Sequence, residues 1–416
     1  MPNPCRRAAL GRHHRRHHRR RRSDVRERSV ARPAGDSALR GPDGLRLRAA
    51  RRAGPAPSNR RCPVSQPTVR SGRARIRARA ALRRGAGLLA AALLLSAAAS
   101  GGAGASVAVP QDTAFWVEPD SSAARQAAAW RRGGYFAQAW LMDRIAGRAQ
   151  AVWLHDKSPG PRIRAVAEAA AWTGRTPVFV AYFIPHRDCG EYSRGGAAGA
   201  AEYRRWIEEV AAAIGDRAAY VVVEPDAVAQ EVAGCARADA GERYALLAHA
   251  VERLKARPNA KVYLDAGNAG WIPDERRLVT PLRQAGIAKA DGFALNVSNY
   301  HTNAVSSAYG HRLATRVGGA KHFVVDSSRN GNGPYTGDAK AWCNPPGRAL
   351  GTPPTTRTGD PALDAYLWIK RPGESDGTCR GGPRAGQWWP QYALGLASRA
   401  KGQRSGAGGA DEGRRP

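Results

Sequence analysis

Three short acidic segments carry the side chains most able to do chemistry. They are "HRDC" at 186–189, "EPD" at 224–226 and "GESDG" at 373–377. Each follows an apolar run, "VFVAYFIP", "AYVVV" and "AYLWI" respectively, so each acid stands where a strand-like segment stops. Carboxyl groups arranged this way, with tryptophans and tyrosines close by in the chain, suit hydrolysis of a glycosidic bond. One acid protonates the leaving oxygen while another group activates water. No GxSxG elbow, phosphate-cradling P-loop or GxGxxG after a strand is present, which sets serine-nucleophile, nucleotide and dinucleotide chemistry aside. No CxxC or Cys/His cluster has zinc-ligand spacing, so neither a metal nor another cofactor is expected.

Elements that could position these acids follow from the apolar pattern. Strands are expected at 151–154, 178–183, 219–223, 261–264, 292–295, 322–325 and 365–369. Between them lie stretches such as "AEYRRWIEEVAAAIGD" and "GERYALLAHAVERLKA", apolar at i, i+3, i+4 and i+7 as in amphipathic helices. Near-continuous apolar strands alternating with helices imply a parallel sheet covered on both faces. Seven such units predict an α/β fold, an irregular, about seven-stranded parallel β/α barrel in a single domain. An open doubly wound sheet is the alternative. Nearly every strand ends on a polar residue: His155 and Asp156, Arg187 and Asp188, Glu224 to Asp226, Asp265, Asn296, Asp326, then Lys370, Glu374 and Asp376. In a parallel barrel those ends meet at one face, where active sites are built.

The formal charge of +32 on 416 residues first suggests a nucleic-acid binder. Residues 1–90, however, hold 26 of the 66 Lys and Arg and 4 of the 34 Asp and Glu. That excess of +22 leaves an ordinary +10 for the rest, so charge alone assigns no partner to the folded part. A basic stretch through Arg84, an apolar run at 88–99 and the small residues after it have the layout of a secretory signal. The run is too short for a comfortable membrane span, which takes ~20 residues. The expected organisation is a basic low-complexity tail at 1–68, a signal region at 69–107, a folded catalytic domain at 108–401 and a disordered tail at 402–416. Because a signal normally starts at its basic region, translation is expected to begin near Val69, leaving 1–68 unmade. The competing reading is a real tail that binds nucleic acid or anionic surfaces. Four cysteines, Cys189, Cys235, Cys343 and Cys379, fall in the exported part, an even number that suggests two disulfides.

"VAYFIPHRDCGEYSRGG" and "YVVVEPDAV" resemble the two signature segments of glycoside hydrolase family 6, the cellulases that include endoglucanases and cellobiohydrolases. "VYLDAGNAGW", "LNVSNY", "VVDSSRNGNGP", "AWCNPPGRALG" and "LWIKRPGESDGTC" resemble its later segments in the same order, so the likeness runs from about Phe115 to Ala400. It implies Asp226 as proton donor. Asp188 would be the neighbouring charge that keeps Asp226 protonated and helps organise the water. Asp376 would be the general base of an inverting reaction, with a water chain toward Asp188 as the alternative. Ser193 matches the serine that holds this water on a mobile loop, although a plain loop serine reads as well.

For sugar binding the resemblance implies stacking on Trp153, Trp271 and Trp342, with Tyr182 under the ring at the cleavage site. Lys370, Glu374 and either Asn296 or Asn299 would bind hydroxyls. Asn268 stands where many members have histidine, and His155 where aspartate often follows the first tryptophan; both departures concern sugar contacts. The implied disulfides are Cys189–Cys235 and Cys343–Cys379. The expected protein is a secreted, monomeric endo-β-1,4-glucanase with a β-glucan as partner, no nucleic acid and no stable membrane association. The short stretch from Cys379 to Trp388 favours an open cleft. An exo-acting cellobiohydrolase and a catalytically silent glucan-binding protein are the alternatives.

Overall fold

A computed structural model describes residues 114–400, apart from 236 and 238. The expectations for 1–107 and 402–416 lie outside the described residues.

Seven strands form one parallel sheet: β1 (Val152–Leu154), β2 (Val178–Ala181), β3 (Ala219–Val223), β4 (Ala260–Asp265), β5 (Gly292–Leu295), β6 (His322–Asp326) and β7 (Leu363–Leu367). Their spatial order is their chain order, with no reversal, which rules out the doubly wound alternative. The sheet curls into an incomplete barrel. At the seam β7 meets β1 through scattered bonds rather than a ladder. The Ala151 N–H donates to Trp368 O (3.0 Å), and the Trp153 Nε1–H to Ile369 O (2.8 Å).

All seven strands lie within two residues of their expected positions, and β7 alone is shifted as a whole, two residues earlier than the expected 365–369. Its ladder with β6 runs out at the Asp326–Leu367 pair. Trp368 and Ile369 instead offer their carbonyls to the first strand, which apolar character alone could not reveal.

Strand alternation sorts the core into two layers. Val180, Tyr182, Tyr220, Val222, Tyr263, Ala294, Val324, Ala365 and Leu367 fill the barrel interior. Phe179, Val221, Val223, Val262, Leu264, Phe293, Phe323 and Val325 face the helices outside. The helix Ala200–Ile214 meets that outer layer with Tyr203, Trp206, Ile207, Val210, Ala211 and Ile214, one stripe at helical spacing. The helix Ala240–Lys255 starts at Asp239, whose side chain accepts from the Glu242 N–H, and buries Leu246, Leu247, Ala250, Val251 and Leu254. Each such aliphatic side chain contributes about 1.5–3 kcal/mol by leaving water. A third cluster covers the seam: the helices Ser122–Arg132, Phe136–Ala146 and Pro390–Arg399 pack around Trp368 and Leu350.

The same alternation carries Asp265 and Asp326, the last residues of their strands, and Tyr182, just past its own, to the C-terminal rim of the interior. No helix among the described residues is long and apolar enough to cross a membrane.

Candidate active site

Left-handed backbone concentrates at this rim. His186, Asp188, Cys189, Glu224, Asp226, Asn296 and Ser298 all have φ between 48° and 72°. Such conformations cost non-glycine residues about 1–3 kcal/mol each and gather where the fold forces a side chain into a required direction. The first effect is on Glu224. Its backbone turns the carboxylate sideways to accept the Phe183 N–H (3.0 Å) and Ile184 N–H (3.1 Å), tying the ends of β2 and β3 together. Burial pushes Glu224 up to about 7, against the pull of those two donors.

Two residues on, Asp226 precedes the short helix Ala227–Val232. Its N–H donates to Asp265 Oδ2 (2.9 Å), which fixes the acid in its left-handed turn. Burial, then the Asp265 carboxylate, then the Asp188 carboxylate raise the Asp226 carboxyl well above the usual range; Lys370 opposes them. Asp265 is also held high by burial, against the Asp226 and Gly267 N–H groups. Two buried carboxyls that act on each other in this way cannot both ionise cheaply.

Asp188 lies on a loop after β2. Its Oδ2 accepts the Ser193 N–H, and its Oδ1 the Gln230 side-chain amide (3.3 Å). Burial raises its carboxyl too, with the Ser193 bond opposing. The Asp188 carboxylate acts electrostatically on Asp226.

Asp376 sits in a different setting. Its Oδ2 accepts from the Arg329 guanidinium (2.8 Å), the Tyr300 hydroxyl (3.1 Å) and the Asn344 N–H (3.0 Å). The Lys370 ammonium lies 3.5 Å from Oδ1. Burial would raise this carboxyl, but Arg329 and then Lys370 outweigh it and hold Asp376 below the usual range. It is a fixed negative charge.

The expected sugar platforms are placed as follows. Trp153 meets Tyr182 edge-on at 5.1 Å and is partly exposed. Trp271 is partly exposed in the turn after β4, where Asn268 Oδ1 accepts the Gly270 and Trp271 N–H groups (3.1 and 3.0 Å). The residue that departs from the family pattern there builds the turn carrying the tryptophan. Trp342 is 42% exposed. His155, the other departure, is exposed beside Asp156. Tyr182 lies beneath the Arg187 guanidinium (4.7 Å), and Asp226 and Asp188 both act on its hydroxyl.

Between Asn296 and Asn299 the structure separates roles. Asn296 is fully buried, donates to His301 O and Asp326 O, and accepts the His301 N–H, so its amide is spent on the loop. Asn299 keeps partial exposure, with its Oδ1 accepting the Tyr300 N–H (2.9 Å). Lys370 donates to Ser375 O (3.1 Å) beside Asp376, and Glu374 pairs with Arg371 (3.1 Å). The disulfides Cys189–Cys235 and Cys343–Cys379 form as expected.

Sequence reasoning missed Arg329, Tyr300 and Asn344 around Asp376, and Gln230 at Asp188. Asp265 stood among the strand-end acids without a role. No group of three or more His, Cys, Asp or Glu among the described residues could hold a metal ion.

Comparison with known proteins agrees with this arrangement. The family model described as "Glycosyl hydrolases family 6" matches residues 110–400. Endoglucanase A of Cellulomonas fimi is 44% identical over 299 residues, 70% of this chain and 63% of the relative. Endoglucanase 1 of Streptomyces halstedii is 45% identical over 290 residues, 67% of this chain and 87% of the relative. The chain spans 63% and 65% of the lengths of the endoglucanases A of Cellulomonas fimi and Thermobispora bispora. The solved structure of the endoglucanase Cel6 from Mycobacterium tuberculosis, in complex with methyl-cellobiosyl-4-deoxy-4-thio-β-D-cellobioside, aligns with a TM-score of 0.65 and 42% identity. That alignment covers 69% of this chain and 97% of that one. The sequential seven-stranded barrel, the clustered acids at its rim and these matches together place the chain in glycosyl hydrolase family 6.

Proposed function

We propose that this protein is an inverting endo-β-1,4-glucanase whose proton donor is Asp226. The observation that carries the reading is the electrostatic crowding of Asp226. A carboxyl that burial, Asp265 and Asp188 hold protonated well above the usual aspartate range is suited to hand a proton to a leaving glycosidic oxygen. Trp153, Trp271 and Trp342 supply stacking faces for pyranose rings, Tyr182 lies under the ring at the cleavage site, and Lys370, Glu374 and Asn299 supply hydroxyl contacts. The relatives at 44% and 45% identity carry the name endoglucanase, which supports internal cleavage.

The acceptor of the water's proton is better assigned to Asp188 than to Asp376. Asp376 is already bonded on Oδ2 by three donors and held acidic by two cations, which makes it a weak base. Asp188 is held toward higher pKa on a partly exposed loop and has the greater proton affinity. The fixed charge of Asp376 then stabilises the positive charge that develops on the sugar.

Residues 69–107 are read as an export signal and the domain as secreted. The two loop disulfides fit an oxidising compartment. N-terminal sequencing of exported protein should place the mature start at 105–110; peptides from residues 1–60 would overturn the proposed start near Val69.

Assay on soluble carboxymethyl cellulose tests the activity. A rapid viscosity drop that Asp226→Ala abolishes, and oligosaccharides released first as the α-anomer, are expected. Release of the β-anomer, or no hydrolysis of any β-glucan, would overturn the reading.

A further inference from the structure

The loop that carries Asp188 is wired at its base. The Arg187 guanidinium donates to Tyr182 O (2.6 Å) and Ser193 O (2.8 Å), and Arg187 pairs with Gly195 in a short antiparallel bridge. The Ala197 N–H closes the loop onto Phe183 O (2.8 Å). One flank is tied by Cys189–Cys235. The tip is Tyr192, which no role assigned so far involves.

Tyr192 reaches the opposite wall. Its ring centroid lies 5.9 Å from that of Trp342, the planes 59° apart. It also rests on Gly377, where an added Cβ would stand 2.6 Å from two ring atoms. Gly377 directly follows Asp376, and Trp342 directly precedes Cys343, whose disulfide partner is Cys379. One aromatic ring therefore joins the loop of Asp188 after β2 to the loop of Asp376 after β7. These strands are not hydrogen-bonded neighbours in the sheet. The contact is no ordinary core packing, because Tyr192 stays 37% exposed and Trp342 42% exposed.

We propose that Tyr192 is a positioning residue of the reaction, whose ring clasps the Asp188–Ser193 loop against Gly377 and Trp342 and so sets the placement of Asp188 relative to Asp226 and Asp376. The proposal rests on the reading of Asp226 as proton donor. The ring makes the clasp, and its hydroxyl is not among the atoms nearest Gly377. The clasp also has an electrostatic consequence. The groups acting on Asp226 are Asp265, Asp188 and Lys370, with Tyr182 beside them, and those acting on Asp188 are Glu191, Arg187, Ser193 and Gln230. Of the acids acting on Asp226, Asp188 alone sits on the loop that Tyr192 holds. Releasing the ring lets that carboxylate drift from Asp226, which then loses its proton at lower pH.

The test compares Tyr192→Phe and Tyr192→Ala on cellohexaose, with kcat, KM, pH profile and melting temperature measured for each. Tyr192→Phe should act at close to the wild-type rate. Tyr192→Ala should lose about 10- to 100-fold in kcat, the scale expected of a displaced reacting group. Its KM should change little, its melting temperature should hold, and the basic limb of kcat/KM should move to lower pH. If the alanine variant melts lower, Tyr192→Leu, which keeps bulk without a flat ring, is judged by the same readouts. Wild-type kcat and an unmoved basic limb in the ring-deleted variant would overturn the clasp. So would a phenylalanine variant as impaired as the alanine one. Asp226→Ala serves as the separate control: if it retains activity, the proton-donor reading fails, whatever Tyr192 does.

Discussion

Arg329→Met is the sharpest probe of how Asp376 is held. Arg329 has no exposed side-chain surface, lies 2.8 Å from Asp376 Oδ2 and stacks over Tyr300 at 4.5 Å. Methionine fills most of the volume but removes the charge, leaving Asp376 with Lys370 at 3.5 Å, the Tyr300 hydroxyl and the Asn344 N–H. Stripping one partner from a buried ion pair costs about 3–5 kcal/mol. At about 2–4 °C per kcal/mol, the melting temperature should fall on the order of 10 °C. The sign of the pH dependence is diagnostic. In the wild type the depressed Asp376 stabilises the fold above the unfolded carboxylate value of about 3.9, and that contribution is lost as pH falls through its lower folded value. In the variant burial dominates and raises Asp376, so stability should fall as pH rises above about 4. The deficit should therefore be largest near neutral pH and shrink in acid. Adding Asp376→Asn should recover part of the loss. Thermal melts from acid to neutral pH decide; a deficit below about 1 kcal/mol, or one independent of pH, would refute the reasoning.

Three further outcomes are expected. Asp188→Asn removes one of the charges that keep Asp226 protonated, so the basic limb of kcat/KM should move to lower pH while burial and Asp265 still hold it above an ordinary aspartate. Cys343→Ser with Cys379→Ser opens a cross-link spanning 36 residues, worth about 4 kcal/mol by loop entropy, and should lower the urea midpoint accordingly. Gly196→Ala forces a side chain onto a backbone with φ 94°, with its Cβ 1.9 Å from Ile184 O, and should cost about 3 kcal/mol or more in urea unfolding.

The barrel was legible because its strands are buried on both faces and so read as unbroken apolar runs between Gly, Pro and polar ends. The seam was not. Trp368 and Ile369 look like strand, and only the curl of the sheet turns their carbonyls to β1. At the site, Asp188, Asp226 and Asp376 could be named from their segments. The cage of Asp376 could not, since its partners lie 32, 47 and 76 residues away in the chain. Arg329, Tyr300 and Asn344 each sat inside a segment matched to the family, yet pairing across such distances is a property of the folded chain. The Asn296 side chain shows the converse: a polar residue at a strand end that serves its own loop.

The central claim is that Asp226 stays protonated in the free enzyme because burial and two neighbouring carboxyls leave ionisation unfavourable. A carbon-13 carboxyl titration of aspartate-labelled protein, with Asp226→Asn to identify the signal, measures this directly. The account predicts a resonance that titrates well above the usual aspartate range, and at lower pH in Asp188→Asn. Ionisation of Asp226 near pH 4, unaltered by loss of Asp188, would contradict it.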